Sequence, residues 1–228
     1  MTTPLRFGLL LFPRLTQLDM TGPFEVFSRI PGGQVHLVWK TREPVRSDTG
    51  LAMLPDTVLA ACPPLDVVCV PGGPGVAALM EDDEVLDFLR AQAAGARYVT
   101  SVCTGALVLG AAGLLKGRRA TTHWASHDFL AALGAVPEQG RVVRDGRFVT
   151  GGGVTAGIDF ALSLAADLAS PEVAQAIQLQ IEYAPAPPFD AGSPATAPAG
   201  VLAAAKARGA GMRAEREALV ARVAARLA

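Results

Sequence analysis

The sequence predicts an α/β fold: a doubly wound, mostly parallel sheet flanked by helices, with a C-terminal helical extension. Three observations predict it. Phe7–Phe12 is a continuous apolar run, as in a strand buried on both faces, and the largely apolar segments Asp66–Val70 and Tyr98–Val102 read as further strands. Helical patterns alternate with them, which calls for parallel crossovers. Gly- and Pro-rich punctuation follows the strand ends, most plainly at Pro71-Gly72-Gly73-Pro74-Gly75.

The elements follow in order. The first strand is the Phe7–Phe12 run, and Pro13 to Asp19 reads as a loop. A helix begins near Gly22-Pro23, with Pro at an early helical position, and carries Phe24, Val26, Phe27 and Ile30. Gln34–Lys40 alternates apolar and polar residues as a second strand. After the 66–70 strand, Asp82 or Asp83 caps a helix over Glu84–Ala94 that Gly95 ends. The strand Tyr98–Val102 runs into a Gly/Ala/Leu-rich helix from Gly105. Arg119–His123 reads as a short strand and Asp128–Leu133 as a helix closed by Gly134. Asp145-Gly146 marks a hairpin within Val142–Val149. Helices follow over Ile158–Ala169 and from Ser170-Pro171-Glu172 to about Tyr183. Residues 1–183 form the predicted catalytic domain. Residues 184–228 are a Pro/Ala-rich linker and a helix whose Leu219, Val220, Val223 and Leu227 trace one apolar stripe.

Composition narrows the function. The chain has 228 residues, half of them apolar, yet no unbroken run approaches the ~18 apolar residues of a membrane span. Its net charge of −1 argues against a general polyanion-binding surface, so no nucleic-acid partner is expected. The basic exception is the C-terminal helix, which is expected to pack on its own domain or on a partner subunit. The N-terminus runs directly into a strand without the pattern of a secretory signal, and the three cysteines show no metal-ligand spacing. A reducing cytoplasm is the expected compartment.

Chemistry gathers at Cys103. It sits where a strand turns into a helix, and helix N–H groups and the dipole at that turn favour thiolate over thiol. Cys69 lies inside a strand and Cys62 precedes Pro63-Pro64, and both read as packing residues. Gly72 and Gly73 end a neighbouring strand, where free N–H groups can face a bound group as an oxyanion hole; the alternative is a tight turn. Asp19, after the first strand, either caps the following helix or shares a proton with the thiol, its pKa raised by burial. His123 and His127 lack a third ligand, so no metal is expected, although His123 could line the pocket. Thr104, not His, follows the cysteine, so no local Cys-His-Asp triad is present. No G-x-G-x-x-G or Walker pattern supports a nucleotide.

These residues resemble the DJ-1/PfpI superfamily, with its flavodoxin-like fold. The likeness is carried by Leu18-Asp19-Met20-Thr21-Gly22-Pro23-Phe24-Glu25-Val26-Phe27, Val70-Pro71-Gly72-Gly73, Val102-Cys103-Thr104-Gly105-Ala106 and Arg119-Ala120-Thr121-Thr122-His123-Trp124, in order across roughly residues 5–183. Protease-like members have His after the cysteine, and the branch of DJ-1 itself has Glu in the first loop. Asp19 with Cys103-Thr104-Gly105 is similar to the isonitrile hydratase branch, as are Ile181-Glu182-Tyr183 and Pro187–Pro194. The resemblance implies a cofactor-free homodimer hydrating R–N≡C to an N-substituted formamide through a thioimidate. It implies Cys103 as nucleophile, Asp19 as general acid, Thr104 orienting the acid or water, the Gly72 and Gly73 N–H groups holding charge, and Thr155 bordering the pocket. Two other readings stand: a glyoxalase-like reaction at the same cysteine, and a small-molecule sensing domain similar to that of AraC-like regulators. Against the latter, residues 184–228 are too few for the helix-turn-helix unit those regulators carry.

Overall fold

The computed structural model of the chain describes residues 4–227. In chain order, β1 (Leu5–Leu10) leads to α1 (Gln17–Phe27) and β2 (Gly33–Trp39). Three two-residue strands follow, β3 (Val45–Arg46), β4 (Ala52–Met53) and β5 (Thr57–Val58), then β6 (Val67–Val70), a short α2 (Val76–Leu79) and α3 (Asp83–Gly95). Next come β7 (Tyr98–Val102), α4 (Gly105–Ala111), β8 (Arg119–Ala120), α5 (Phe129–Ala132) and β9 (Val136–Pro137). The hairpin β10 (Val142–Asp145) and β11 (Phe148–Gly151) precedes α6 (Ala156–Leu168), α7 (Pro171–Gln180) and α8 (Ala199–Leu227).

The main sheet has seven strands in the order β10-β11-β7-β6-β1-β2-β5. Only the β10–β11 hairpin is antiparallel; the other pairings are parallel. The predicted doubly wound α/β class is what forms. The chain leaves β1 toward β2 on one side and β6 toward β7 on the other. The C-terminal ends of β1 and β6 therefore flank a switch point, where open α/β sheets leave a crevice. Beneath it the core is tightly filled: Phe7, Phe27 and Phe160 are fully buried, with Phe7 stacked on Phe27 at 4.7 Å between ring centroids.

Local chemistry explains most boundaries. Asp82 caps α3 by accepting from the Val85 N–H, and Ser170 caps α7 by accepting from the Val173 N–H, with Pro171 at the first helical position. Two expectations fail. The helix predicted from Gly22-Pro23 begins at Gln17, so Asp19 sits in its first turn rather than in a loop, and the cap position belongs to Thr16. Pro23 is inside the helix, where it removes one backbone donor. Packing on α6 overrides that cost. A Cβ on Gly157 would stand 3.0 Å from the Pro23 ring, and one on Gly22 would stand 3.2 Å from Ile158. The Gly-Pro pair marks a close helix–helix approach, not a helix start. The strand predicted over Arg119–His123 also stops at Ala120, and His123 instead precedes a single 3₁₀ turn, Trp124–Ser126.

Helix α8 lies against α5, α4 and that 3₁₀ turn. Leu219, Val220 and Val223 of the predicted stripe are at most 4% exposed, each contributing about 2 kcal/mol by burial. Exposed ion pairs from Arg213 to Asp128 and from Arg222 to Glu81 flank them and add little. Among the described residues, no helix is long and apolar enough to cross a membrane.

The passage from β7 into α4 depends on Gly105. A Cβ there would lie 2.0 Å from the Val70 carbonyl oxygen and 2.8 Å from that of Pro71, both rigid backbone. Gly105→Ala is expected to destabilise the protein by about 3 kcal/mol or more. Gly95→Ala, at a position with nothing within 4 Å, should be neutral or slightly stabilising. Chemical denaturation of both variants checks this; equal stability would show that the β6–α4 approach is not tight.

Candidate active site

Cys103 follows the last residue of β7 with φ at +52°, a left-handed conformation that side chains other than Gly rarely adopt. Such a residue costs of order 1–3 kcal/mol and persists only where its surroundings hold it. Here they do. Its N–H donates to the Gly151 carbonyl at 3.0 Å, and the Thr122 hydroxyl donates to its carbonyl at 2.6 Å. The backbone of β11 and the segment before the 3₁₀ turn thus fix the cysteine from two sides, with the residue 6% exposed.

The loop after β6 closes the site from the other side. The Gly72 N–H donates to Asp19 Oδ2 at 2.7 Å, and the Gly73 N–H donates to Thr104 Oγ1 at 3.0 Å. These bonds correct an expectation. The two amides do not stand free as an oxyanion hole; one holds the carboxyl and the other holds the threonine. Glycine is required because a Cβ at Gly72 would come within 2.5 Å of the Thr104 nitrogen and 2.8 Å of Asp19 Oδ2. Gly73 has φ at +127° and is wedged against the Arg14–Thr16 backbone.

Asp19 is fully buried, and burial pushes its pKa up to about 7. The Gly72 N–H and the Cys103 thiol pull it down, and the negative charge of Asp48 adds to the rise. Desolvation wins: Oδ2 is held by the Gly72 N–H, while Oδ1 is buried without a hydrogen-bond partner. Cys103 is also driven up, by burial first and by the Asp19 charge second, while the Thr104 amide and hydroxyl oppose this. The predicted lowering by the helix N-terminus therefore does not prevail. Helix α4 is only seven residues long and wholly buried, so its dipole is outweighed by desolvation. Cys69, fully buried, is pushed up to about 12, and Cys62 to about 11, both chiefly by burial. Neither shares the strained turn.

The other candidates are placed less centrally. His123 is partly buried, its Nδ1 accepts from the Ala125 N–H at 3.3 Å, and burial followed by the Arg216 charge lowers its pKa, favouring the neutral ring. Thr155 is exposed at the start of α6, where its hydroxyl accepts from Arg141 at 3.1 Å, outside the Cys103–Asp19 group. Among the described residues, no three His, Cys, Asp or Glu side chains gather as a metal site would require. Three contributors were not anticipated: Thr122, Asp48 and Arg216. Thr122 lay within a quoted motif without a role. Arg216 of α8 is 9% exposed, donates to Ser126 Oγ at 2.9 Å, and couples electrostatically to Cys103.

Comparison with known proteins gives consistent likenesses. The DJ-1/PfpI family model matches residues 6–167. The isonitrile hydratase of Pseudomonas putida is 64% identical over 206 residues, covering 90% of each chain. A crystal structure of a THiJ/PfpI family protein from Pseudomonas syringae superposes with a TM-score of 0.93 at 45% identity, covering 95% of this chain and 90% of that one. Drosophila melanogaster DJ-1beta superposes with a TM-score of 0.72 at 28% identity, all of it matched by 80% of this chain. The fifth left over is the size of the stretch after Tyr183.

The Asp19 carboxyl gives a test with a definite sign. Its folded-state pKa near 7 lies above the ordinary 3.8, so the folded protein holds this proton more tightly than the unfolded chain. That stabilising contribution is complete below pH 4 and is lost as pH rises through 7. Above that, charging the buried group costs about 4 kcal/mol. Asp19→Asn, whose amide oxygen can still accept from Gly72, should be more stable than the parent at pH 8 by a few kcal/mol, the gap closing toward pH 4. Denaturant titrations at both pH values measure it; a gap independent of pH would refute the assigned pKa.

Proposed function

The chain belongs to the DJ-1/PfpI family, and from that premise we propose that it is a cofactor-independent isonitrile hydratase with Cys103 as its nucleophile. The observation that carries the reading is the pairing of a buried, unpartnered Asp19 oxygen with a buried thiol, in a chain so similar to an enzyme of that name. A carboxyl titrating near neutrality can both take and return a proton at working pH, which an ordinary aspartate cannot.

The reaction needs one proton held between the two groups. Asp19 takes the proton of Cys103, and the thiolate attacks the terminal carbon of R–N≡C. Asp19 returns the proton to that same carbon, leaving the thioimidate R–N=CH–S–Cys103. Water then adds to the imidate carbon, giving its proton to nitrogen with Asp19 as relay. Collapse of the tetrahedral adduct breaks the C–S bond and releases R–NH–CHO with the thiol restored. One isonitrile and one water give one formamide, with no net redox change. Thr104, fixed by the Gly73 amide, orients the carboxyl or the water through its hydroxyl. Gly72 holds the Asp19 carboxyl through Oδ2. The same reading includes the dimer that the family resemblance implies, which sedimentation would measure.

Cys103→Ala should abolish formamide formation from a panel of alkyl and aryl isonitriles, and Asp19→Asn should lower kcat by roughly 10²–10⁴-fold. Because the reactive pair holds a single proton, kcat/KM of the parent should fall about tenfold per pH unit below pH 7 and level off above it. Infrared loss of the isonitrile band with chromatography of the product follows all three. A parent protein that leaves the panel untouched but consumes methylglyoxal would replace this reading with the glyoxalase-like one.

A further inference from the structure

Helix α8 delivers one basic residue into the body of the protein. Arg213 pairs with Asp128, and Arg222 and Arg226 pair with Glu81, all at the surface. Arg216 is different. It is nine-tenths buried, its Nη1 donates to the fully buried Ser126 hydroxyl at 2.9 Å, and its Nη2 meets only the Met212 sulfur at 3.7 Å. Its Nε is buried with no partner at all. The guanidinium therefore carries a full charge inside the protein with a hydroxyl and a thioether as company. Truncating either partner of a buried ion pair creates such a state and is strongly destabilising, so a resident unpaired charge calls for an explanation.

Its position supplies one. Ser126 ends the 3₁₀ turn that begins just after His123, and Thr122 of the same segment donates to the Cys103 carbonyl. We propose that Arg216 is the positioning residue for the reactive thiolate: α8 holds its guanidinium inside the protein as a standing counter-ion, left unbalanced until the Cys103 proton has gone. The assignment deepens the hydratase reading and rests on it for its catalytic consequence. When Asp19 takes the thiol proton, the carboxyl becomes neutral and the sulfur negative, and the standing positive charge of Arg216 is then balanced. When the C–S bond forms, the charge moves into the thioimidate and returns to sulfur on collapse. The electrostatics agree in direction: Arg216 favours Cys103 thiolate, and Cys103 in turn favours charged Arg216. The other titratable groups in electrostatic reach are Asp19, which acts on Cys103, Asp48 and Cys69, which couple to Asp19, and His123, which couples to Arg216. None of these is a cation that could substitute, since His123 is held neutral by burial and by Arg216 itself.

The test reads the thiolate without any substrate. Iodoacetamide alkylation, followed by mass spectrometry so that Cys62 and Cys69 are counted separately, tracks the thiolate fraction of Cys103 between pH 7 and 9. In Arg216→Gln and Arg216→Met the rate should fall about tenfold at each pH, equivalent to one unit in thiol pKa. Arg216→Lys should restore most of it. Both neutral variants should melt no lower than the parent, since they remove an unpaired buried charge. On an isonitrile substrate, kcat should fall in step with the alkylation rate while KM stays near the parent value. Parent-like alkylation of Cys103 in either folded neutral variant overturns the proposal, and so does failure of both to fold, which would make Arg216 a structural residue. If the parent hydrates no isonitrile while the alkylation pattern holds, the hydratase reading falls and the thiolate assignment stands.

Discussion

Where a Cβ would stand on Gly72, the Thr104 amide nitrogen, the Thr104 hydroxyl and an Asp19 carboxyl oxygen already lie within 2.8 Å. Three elements distant in sequence can meet there only because that atom is absent. The backbone after β6 comes close enough to donate one amide to Asp19 and the next to Thr104, and this fixes the first turn of α1 against the start of α4. Cys103 lies between those two ends, with its strained backbone held by Thr122 and Gly151. Any side chain at position 72 would separate the carboxyl from the thiol before it altered any chemistry. The dyad follows from a backbone contact.

Burial then sets the proton chemistry, because it acts in opposite senses on groups of opposite charge. It raises Asp19 and Cys103 together and lowers His123 and Arg216. The thiol ends far above neutrality and the carboxyl near it, so the resting pair keeps its proton mainly on sulfur at pH 7 and above. This is unlike a cysteine activated by a helix N-terminus, which rests as thiolate. A thiol that rests protonated is less exposed to oxidation, since oxidation follows thiolate character and access. The 6% exposure of Cys103 acts in the same direction.

Much of this was legible in the sequence where a single local cause decides the structure. The turn at Cys103 follows an apolar strand and precedes a Gly-led helix, and the caps at Asp82 and Ser170 are set by side chains within three residues. Asp19 reads from the sequence as a loop residue at the sheet edge, whereas it stands in the first turn of α1. Pro23 reads as a helix start by its own preference, yet the contact of the Gly22-Pro23 pair with Gly157 and Ile158 outweighs that preference. The occupied amides of Gly72 and Gly73 were illegible for a related reason. A glycine loop announces close approach, but not what approaches, and the partners come from 53 and 31 residues away.

Arg216 shows how far helical periodicity alone reaches. The apolar stripe of α8 runs through Leu219, Val220, Val223 and Leu227, and Arg216 lies three, four and seven residues before the first three of these. On a helix that spacing puts it on the same buried face. The flanking Glu215 and Glu217 lie about 100° away on either side, and both are exposed. An arginine in register with a buried stripe, with no acid at i±3 or i±4, is a charge committed to the interior without a local partner. Periodicity states that much; only the fold shows that the guanidinium meets Ser126, on the segment whose Thr122 bonds the Cys103 carbonyl. The apolar residues that dock α8 also fix the depth of the guanidinium. A helix merely covering the surface would gain by replacing that arginine with a neutral side chain.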